Sequence, residues 1–248
     1  IKNKKVGRYW SMKTIVVVYG TRPEAIKLAP VIVQLRKLKK INTVIVCSSQ
    51  HREMLDGILE LWDLVPDRAL EYDSNSGHSS AIPDIMFRME IEFLDLKPDI
   101  VLVQGDTATA AAAAIQAHAL RIPVGHIESG LRSKDLWNPW PEESNRRIID
   151  SVASLHFAPT KSAAENLYRE GYESTTHITG NTIVDATIYA SNLLNNHPEV
   201  RIELETILSF SLNEDFILFT QHRREGFGYG QTQVFRAILE LARNGHRI

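Results

Sequence analysis

Residues 14–27 read TIVVVYGTRPEAIK, and this stretch decides the fold. Its first six residues are apolar or β-branched, a pattern typical of a buried parallel strand. Thr21 and Glu24 match the S/T-x-x-E capping box, which predicts a helix that extends to about Leu38. Gly20 lies between the two elements and allows the chain to turn. A strand that passes through a short turn into a helix is the repeating unit of α/β proteins.

Two cations lie close to the predicted start of this helix. Arg22 and Lys27 follow the turn, and the free N–H groups of a helix N-terminus favour anions. One interpretation is an ordinary strand–helix turn with solvated charges. The other is a binding site for a phosphate-bearing substrate, in which both cations contact the phosphate.

The rest of the chain alternates between strand-like and helix-like patterns with short connections. Strands are predicted at 13–19, 42–48, 99–104, 122–127, 154–157, 175–178 and 215–220. Helices are predicted near 24–38, 51–62, 79–96, 107–120, 142–152, 160–170, 182–195 and 230–243. Such alternation predicts an α/β fold with a doubly wound parallel sheet covered by helices on both faces.

The order of these elements also predicts how the chain divides into domains. The first six strands suffice for one domain over residues 12–180. Residues 181–248 are expected to begin a second αβ domain that breaks off before its sheet is complete. Residues 1–11 precede Met12 and carry several lysines but no apolar segment of signal-peptide length. We interpret them as a leader or a cloning remnant outside the fold.

Composition limits the possible partners. The 248 residues are 44% hydrophobic and 23% charged, with a formal net charge of -2, as in soluble globular proteins. This charge provides no basic field for nucleic acid and no membrane-surface patch. No apolar stretch reaches the roughly 20 residues of a membrane span. The single cysteine, Cys47, lies in a predicted strand, which indicates a buried thiol in a reducing compartment and hence a cytoplasmic protein.

Two acidic residues lie where the predicted strands end, which is where ligands bind in such sheets. Asp106 follows the strand at 99–104 and occupies the predicted N-cap position of the next helix, so it is either a capping residue or a catalytic one. Glu128 lies between the end of the strand at 122–127 and a glycine. A loop follows Glu128, so capping does not explain it, and a functional role is favoured.

Two further groups of polar residues begin or precede helices. Glu142 lies in the first turn of a predicted helix, where the helix dipole favours acidic residues, and Arg146 lies four residues later and could simply pair with it. His222 and Arg223 follow the last predicted strand and precede glycines, which suits a phosphate. A solvated surface role is the alternative for His222.

The motifs also bear on cofactors. The sequence has no CxxC, HExxH or DxD motif, so nothing requires a bound metal. It also lacks G-x-G-x-x-G after the first strand, which disfavours a dinucleotide, so no cofactor is expected. Carboxylates combined with phosphate-binding cations indicate acid/base chemistry on a phosphorylated, sugar-like substrate.

Eight short motifs occur in a fixed order along the chain. They are GTRPEAIK at 20–27, QHREML at 50–55, KPD at 97–99, GDT at 105–107, IPVGH at 122–126, PEESNRR at 141–147, TGNT at 179–182 and HRRE at 222–225. This series closely resembles the non-hydrolysing UDP-N-acetylglucosamine 2-epimerases from Met12 to the end of the chain. The resemblance implies two Rossmann-like domains that face each other across a cleft, as in one class of nucleotide-sugar glycosyltransferases. It also implies that this chain is truncated at its C-terminus and that the full-length protein is a homodimer.

The resemblance implies an activity and roles for the candidate residues. Members interconvert UDP-GlcNAc and UDP-ManNAc, which is used for surface polysaccharides. Three carboxylates would handle the proton at sugar C2, and five basic residues would bind the substrate. Among the five, Arg22, Lys27 and His222 would stabilise the departing diphosphate, and His222 would count as catalytic. Two residues would contact a second, activating UDP-GlcNAc. In that order these residues are Asp106, Glu128 and Glu142; Arg22, Lys27, Arg146, His222 and Arg223; and Gln50 and His51.

Two other functions stay open from the sequence. A glycosyltransferase would share the fold and the phosphate site, but it would leave the hydrogen at C2 in place. A truncated, non-catalytic domain would bind the UDP-sugar weakly or not at all and would not turn it over.

Overall fold

A seven-stranded parallel sheet forms the centre of the fold. The computed structural model describes residues 12–48, 62, 64–70, 78–208, 213–220 and 229–248. The strands of this part are β1 (Lys13–Tyr19), β2 (Ile41–Cys47), β3 (Arg68–Ala69), β4 (Ile100–Gln104), β5 (Val124–Ile127), β6 (Leu155–Ala158) and β7 (Thr176–Ile178). Their order in the sheet is β3-β2-β1-β4-β5-β6-β7, and every neighbouring pair is parallel. The prediction of a doubly wound α/β sheet is confirmed.

Helices connect the strands. In the described ranges they are α1 (Arg22–Arg36), α2 (His78–Leu96), α3 (Ala108–Ala119), α4 (Glu142–Val152), α5 (Lys161–Arg169), α6 (Thr182–Asn196), α7 (Pro198–Leu208) and α8 (Tyr229–Arg243). None of them is long and apolar enough to cross a membrane. The helix predicted near 51–62 lies almost entirely outside the described residues.

Alternate side chains of each central strand pack on opposite faces of the sheet. On one face, Val16 and Val18 of β1 belong to a core that includes residues of α2, α3 and α4. On the other face, Val17 and Tyr19 belong to a core that includes residues of α1. Ala110 to Ala114 of α3 are completely buried, because small side chains let this helix lie close to the sheet. Both faces are therefore covered, as predicted.

The strand order places a crevice beside β1. The chain runs outward from β1 through β2 and β3, and then returns to the other side of β1 with β4. The connections that follow β1 and β4 consequently leave the sheet in opposite directions. At such a switch point the turns at the carboxyl ends of the strands separate and leave room for a ligand.

The prediction of a strand at 215–220 is wrong. This segment is irregular in the structure, and no strand pairs with it among the residues described. Ile217 N–H donates to the Arg247 carbonyl at 2.8 Å, but an isolated strand leaves most of its backbone groups without sheet partners. An apolar pattern alone does not show whether a neighbouring strand is present to pair with the segment.

Among the described residues, one α-helix and one strand were not predicted. Helix α7 begins at Pro198 with Glu199 in its first turn, and both residues are typical of a helix start. Strand β3 has only two residues and so carries no periodicity.

The chain divides into two compact units between Ile188 and Tyr189. The first contains the sheet, and the described part of the second contains α7, α8 and the end of α6.

Candidate active site

The turn between β1 and α1 is built around a buried carboxylate. Glu24 Oε2 accepts hydrogen bonds from the Gly20 and Thr21 N–H groups at 3.0 and 2.8 Å and from Thr21 Oγ1 at 2.7 Å. Its other oxygen, Oε1, accepts a bond of 2.6 Å from Thr107 Oγ1. Glu24 therefore caps α1, as the capping box predicts, and also ties this turn to the one after β4.

Gly20 is required by close packing at this junction. A Cβ atom at this position would lie 2.2 Å from Thr109 Oγ1 and 2.5 Å from Ser48 Oγ, far inside van der Waals contact. The two hydroxyls themselves lie 2.8 Å apart and are hydrogen-bonded. The ends of β1 and β2 thus pack directly on the first turn of α3.

The turn after β4 presents Asp106 to the crevice. The N-cap of α3 is Thr107, whose Oγ1 accepts the Ala110 N–H at 3.0 Å, so the placement of Asp106 at the N-cap is wrong. The Asp106 carboxylate instead lies 2.6 Å from Arg146 Nη2. The Asp106 carbonyl accepts a bond of 2.8 Å from Asn145 Nδ2. The capping explanation for Asp106 is thereby excluded, and its carboxylate faces a cation.

Glu128 directly follows β5 and has a left-handed backbone conformation, with φ of 67°. Its Oε2 lies 2.5 Å from Lys27 Nζ and also accepts a hydrogen bond from Gln104 Nε2. Its Oε1 accepts a bond of 2.8 Å from Asn181 Nδ2. The structure thus brings a predicted catalytic carboxylate into contact with a predicted phosphate-binding lysine.

The two adjacent glutamates at the start of α4 have different surroundings. Glu143 is fully buried and accepts bonds from the Ser133 N–H at 2.9 Å, Arg147 Nε at 3.0 Å and Arg146 Nη1 at 3.3 Å. Glu142 is half-buried, and its buried Oε2 has no hydrogen-bond partner in the part of the chain described. The pairing of Arg146 with Glu142 is wrong, because Arg146 contacts Asp106 and Glu143 instead.

Burial and hydrogen bonding shift the pKa values of the buried carboxyls in opposite directions. Burial raises the pKa of Glu24 above its ordinary value, although its four hydrogen bonds favour the ionised form. Burial also acts to raise the pKa of Glu143, but the Ser133 N–H and the two arginines outweigh it and hold that pKa below its ordinary value. Glu143 is therefore a structural anion.

A buried polar network lies between β5, α4 and the loop that follows β5. His126 Nδ1 lies 2.5 Å from Asp150 Oδ1, and His126 Nε2 lies 2.8 Å from the Gly105 carbonyl oxygen. Asp150 Oδ2 lies 2.7 Å from Arg132 Nη2, which also contacts Glu170 at 2.6 Å. Burial acts to raise the pKa of Asp150, but His126 and Arg132 outweigh it and hold the pKa below its ordinary value.

Arg22 lies at the first position of α1 and is exposed. It makes no ion pair with any residue described, so its charge faces solvent at the helix N-terminus. The other predicted site residues, His222, Arg223, Gln50 and His51, lie outside the described residues.

Several residues at the crevice were not among the predicted site residues. Gln104 and Asn181 both hold Glu128, and Asn145 holds Asp106. Gln104 gave a usable signal, because it is a polar residue at the end of an otherwise apolar strand. Over the described ranges, no group of three or more His, Cys, Asp or Glu could hold a metal ion.

The fold and the site together define a doubly wound α/β protein with carboxylate–cation pairs at its switch-point crevice. Comparison with known sequences gives the family. The sequence profile described as UDP-N-acetylglucosamine 2-epimerase matches residues 33–248. The chain belongs to the UDP-N-acetylglucosamine 2-epimerase family, as its motifs predict.

Individual relatives agree with this assignment. The UDP-N-acetylglucosamine 2-epimerase of Campylobacter jejuni is 40% identical over 239 residues, which is 94% of this chain and 62% of that protein. The enzyme of the same name from Escherichia coli K12 is 40% identical over 235 residues, 92% of this chain and 61% of that protein. The chain therefore spans about three-fifths of the length of these relatives.

Solved structures of relatives share the fold. The Neisseria meningitidis UDP-GlcNAc 2-epimerase bound to UDP-GlcNAc superposes with a TM-score of 0.88 at 39% identity, over 93% of this chain and 63% of that one. The Methanocaldococcus jannaschii UDP-GlcNAc 2-epimerase, solved in complex with UDP-GlcNAc and UDP, gives a TM-score of 0.83 at 34% identity, over 94% and 64% of the two chains.

Proposed function

We propose that the protein interconverts UDP-N-acetylglucosamine and UDP-N-acetylmannosamine by inverting C2 of the sugar. The observation that carries this proposal is a pair of carboxylate–cation contacts at the ends of neighbouring strands, Asp106 with Arg146 and Glu128 with Lys27. Glu142 adds a buried carboxylate oxygen that has no hydrogen-bond partner among the residues described. Family membership supports it, because the relatives carry this activity in their names. The product would feed surface polysaccharide synthesis.

The proposed reaction proceeds by elimination and re-addition. One carboxylate removes the proton from C2, the electron pair forms the C1–C2 double bond, and the C1–O bond breaks as UDP leaves. The glycal-type intermediate then takes a proton on the opposite face of C2 while UDP adds back to C1. General acid/base catalysis of this kind typically contributes about 10²–10⁴-fold. The three carboxylates are Asp106, Glu128 and Glu142.

The diphosphate needs cations as it departs. Arg22 is exposed at the N-terminus of α1, where helix N–H groups add to its charge. Lys27 and Arg146 are each paired with an acidic side chain. We propose that the diphosphate competes for these two cations, so that binding frees Glu128 and Asp106 to act on the sugar. We propose the same stabilising role for His222 and Arg223.

A non-catalytic domain that binds the UDP-sugar without turnover is the second candidate function. The chain spans about three-fifths of the length of its relatives. A glycosyltransferase, the other alternative from sequence, is disfavoured by the family match over residues 33–248.

Three further features belong to the same proposal. We propose that Gln50 and His51 contact a second, activating UDP-GlcNAc. We also propose that the full-length protein is a homodimer and that it works in the cytoplasm, where nucleotide sugars and a reduced Cys47 are both expected.

The direct test is hydrogen exchange at C2. The 248-residue chain is incubated with UDP-GlcNAc in D2O, and the C2 proton is followed by NMR. We expect the C2 proton signal to disappear and UDP-ManNAc to form, and we expect Glu128→Gln to slow both by at least about 100-fold. UDP binding by the folded chain without exchange would support the non-catalytic alternative. Absence of both binding and exchange would contradict both functions.

A further inference from the structure

His126 is a buried residue that the proposed chemistry does not use. It is completely buried near the end of β5, two residues before Glu128. Both of its ring nitrogens face oxygen atoms, one on Asp150 and one on Gly105. Because a carbonyl oxygen only accepts hydrogen bonds, Nε2 carries a hydrogen and donates it to Gly105.

The first contact fixes the turn that carries Asp106. Gly105 has a φ of 73°, and its N–H donates to the Ile127 carbonyl at 3.0 Å while its carbonyl accepts from His126 Nε2 at 2.8 Å. Both polar groups of this peptide segment are therefore held by β5. Asp106 is the next residue, so the direction of its backbone depends on these two bonds.

The second contact fixes the turn that follows Glu128. Asp150 Oδ1, which faces His126 Nδ1, also accepts a bond of 2.8 Å from Ser129 Oγ. Asp150 Oδ2 accepts a bond of 3.3 Å from the Gly130 N–H. Glu128 is thus followed directly by two residues that bind the partner of His126.

These contacts form one continuous path between the two carboxylate-bearing turns. We propose that His126, together with Asp150, is a positioning residue that holds the Asp106 and Glu128 turns in the mutual arrangement that the C2 reaction needs. This inference rests on the proposed function for its catalytic meaning. A side chain on β5 suits the task, because the strand is rigid and a displacement of about 1 Å in a reacting group costs about 100-fold in rate.

The neighbouring strand provides a matched control. His156 lies directly opposite His126 in the β5–β6 register and is also completely buried. Its Nε2 contacts the Asp150 backbone carbonyl at 2.9 Å, and its Nδ1 contacts Thr175 Oγ1 at 3.0 Å. His156 therefore resembles His126 in burial and size but contacts neither carboxylate-bearing turn.

The test compares three variants. In His126→Asn the shorter amide lies near the Nδ1 position and loses the bond to Gly105, whereas in His126→Gln the amide reaches the Nε2 position and keeps it. We expect His126→Asn to lower kcat for C2 exchange by about 10- to 100-fold with KM little changed. We expect His126→Gln to lose less, at most about 10-fold where His126→Asn loses about 100-fold. We expect His156→Asn to exchange within about threefold of the original chain.

Backbone amide NMR of the ligand-free variants separates this inference from the proposed function. We expect His126→Asn to shift the Gly105, Asp106 and Glu128 amides, and His156→Asn to leave them in place. Equal losses of activity in the two Asn variants, or unmoved amides in His126→Asn, would overturn the positioning role. Where the original chain shows no exchange, the amide shifts alone decide the inference. If His126→Asn does not fold, the amide spectrum of His126→Gln decides the positioning role. Shifted Glu128 and Ser129 amides with an unmoved Gly105 amide would support that role, and the absence of any shift would overturn it.

Discussion

Two sets of carboxylates in this protein differ in what binds them. The buried carboxylates, Glu24, Glu143 and Asp150, each accept at least one backbone N–H. The three carboxylates that we propose act at C2, here called the rim carboxylates, accept none among the residues described; they are Asp106, Glu128 and Glu142.

The difference separates structure from chemistry. A backbone N–H is fixed by the fold, so a carboxylate bound to it stays in place and stabilises the turn that donates. Asp106 and Glu128 are instead bound by side chains such as Arg146 and Lys27, which a ligand can attract away. We therefore expect the buried carboxylates to determine stability and the rim carboxylates to determine turnover.

The largest effect should come from Asp150. Asp150→Asn removes the carboxylate from between buried His126 and Arg132, and breaking a buried ion pair costs about 3–5 kcal/mol even though Arg132 keeps Glu170. Asp106→Asn, at the rim, should cost no more than about 1 kcal/mol, because its partner Arg146 keeps Glu143. Urea unfolding of both variants measures the free energies of unfolding.

The pH dependence of stability gives the control for Asp150. Its pKa is lowered in the folded chain, so below about pH 4 the unfolded chain binds more protons and stability falls as the pH falls through the folded pKa. Asp150→Asn should lose on the order of 2 kcal/mol of this acid sensitivity. Equal urea midpoints for the Asp150 and Asp106 variants, or an unchanged acid slope, would remove the distinction between the two sets.

A smaller effect of opposite sign is expected at Glu24. The pKa of Glu24 is raised on folding, so Glu24 contributes to the free energy of unfolding at pH values below the ordinary glutamate pKa. This contribution is lost as the pH rises through the pKa of the folded chain. Glu24→Gln keeps the shape and cannot ionise. Relative to the original chain, this variant should therefore gain about 1 kcal/mol between pH 4 and pH 7. Urea unfolding at the two pH values tests the sign, and a variant that loses stability equally at both would refute it.

The sequence predicted the fold well, and it also predicted that Asp106 and Glu128 follow strands of the sheet. Apolar strands such as 13–19 are long enough to recognise, and parallel strands bring their carboxyl ends to one edge of the sheet. Asp106 and Glu128 could be placed at that edge because each follows such a strand. The pattern failed at 215–220, where the apolar run has no strand partner within the described part of the chain.

Partners across the fold could not be predicted in the same way. His126 and Asp150 lie 24 residues apart, and only the packing of β5 against α4 brings them together. Glu142 lies one helical turn before Arg146, which suggested that these two residues pair, but Arg146 contacts Glu143 and the distant Asp106 instead. Side chains that bind at long range leave no periodic signal, so the buried network became visible only in three dimensions.

The two adjacent glutamates of α4 test the distinction most directly, because they share one helix turn. Glu142→Gln and Glu143→Gln are each examined by urea unfolding and by C2 exchange of UDP-GlcNAc in D2O. We expect Glu142→Gln to keep the urea midpoint and to lose exchange by at least about 100-fold. We expect Glu143→Gln to lower the midpoint while its folded fraction still exchanges within about tenfold of the original chain. Exchange at the original rate by Glu142→Gln, or loss of exchange at an unchanged midpoint by Glu143→Gln, would contradict this division between the rim and the buried carboxylates.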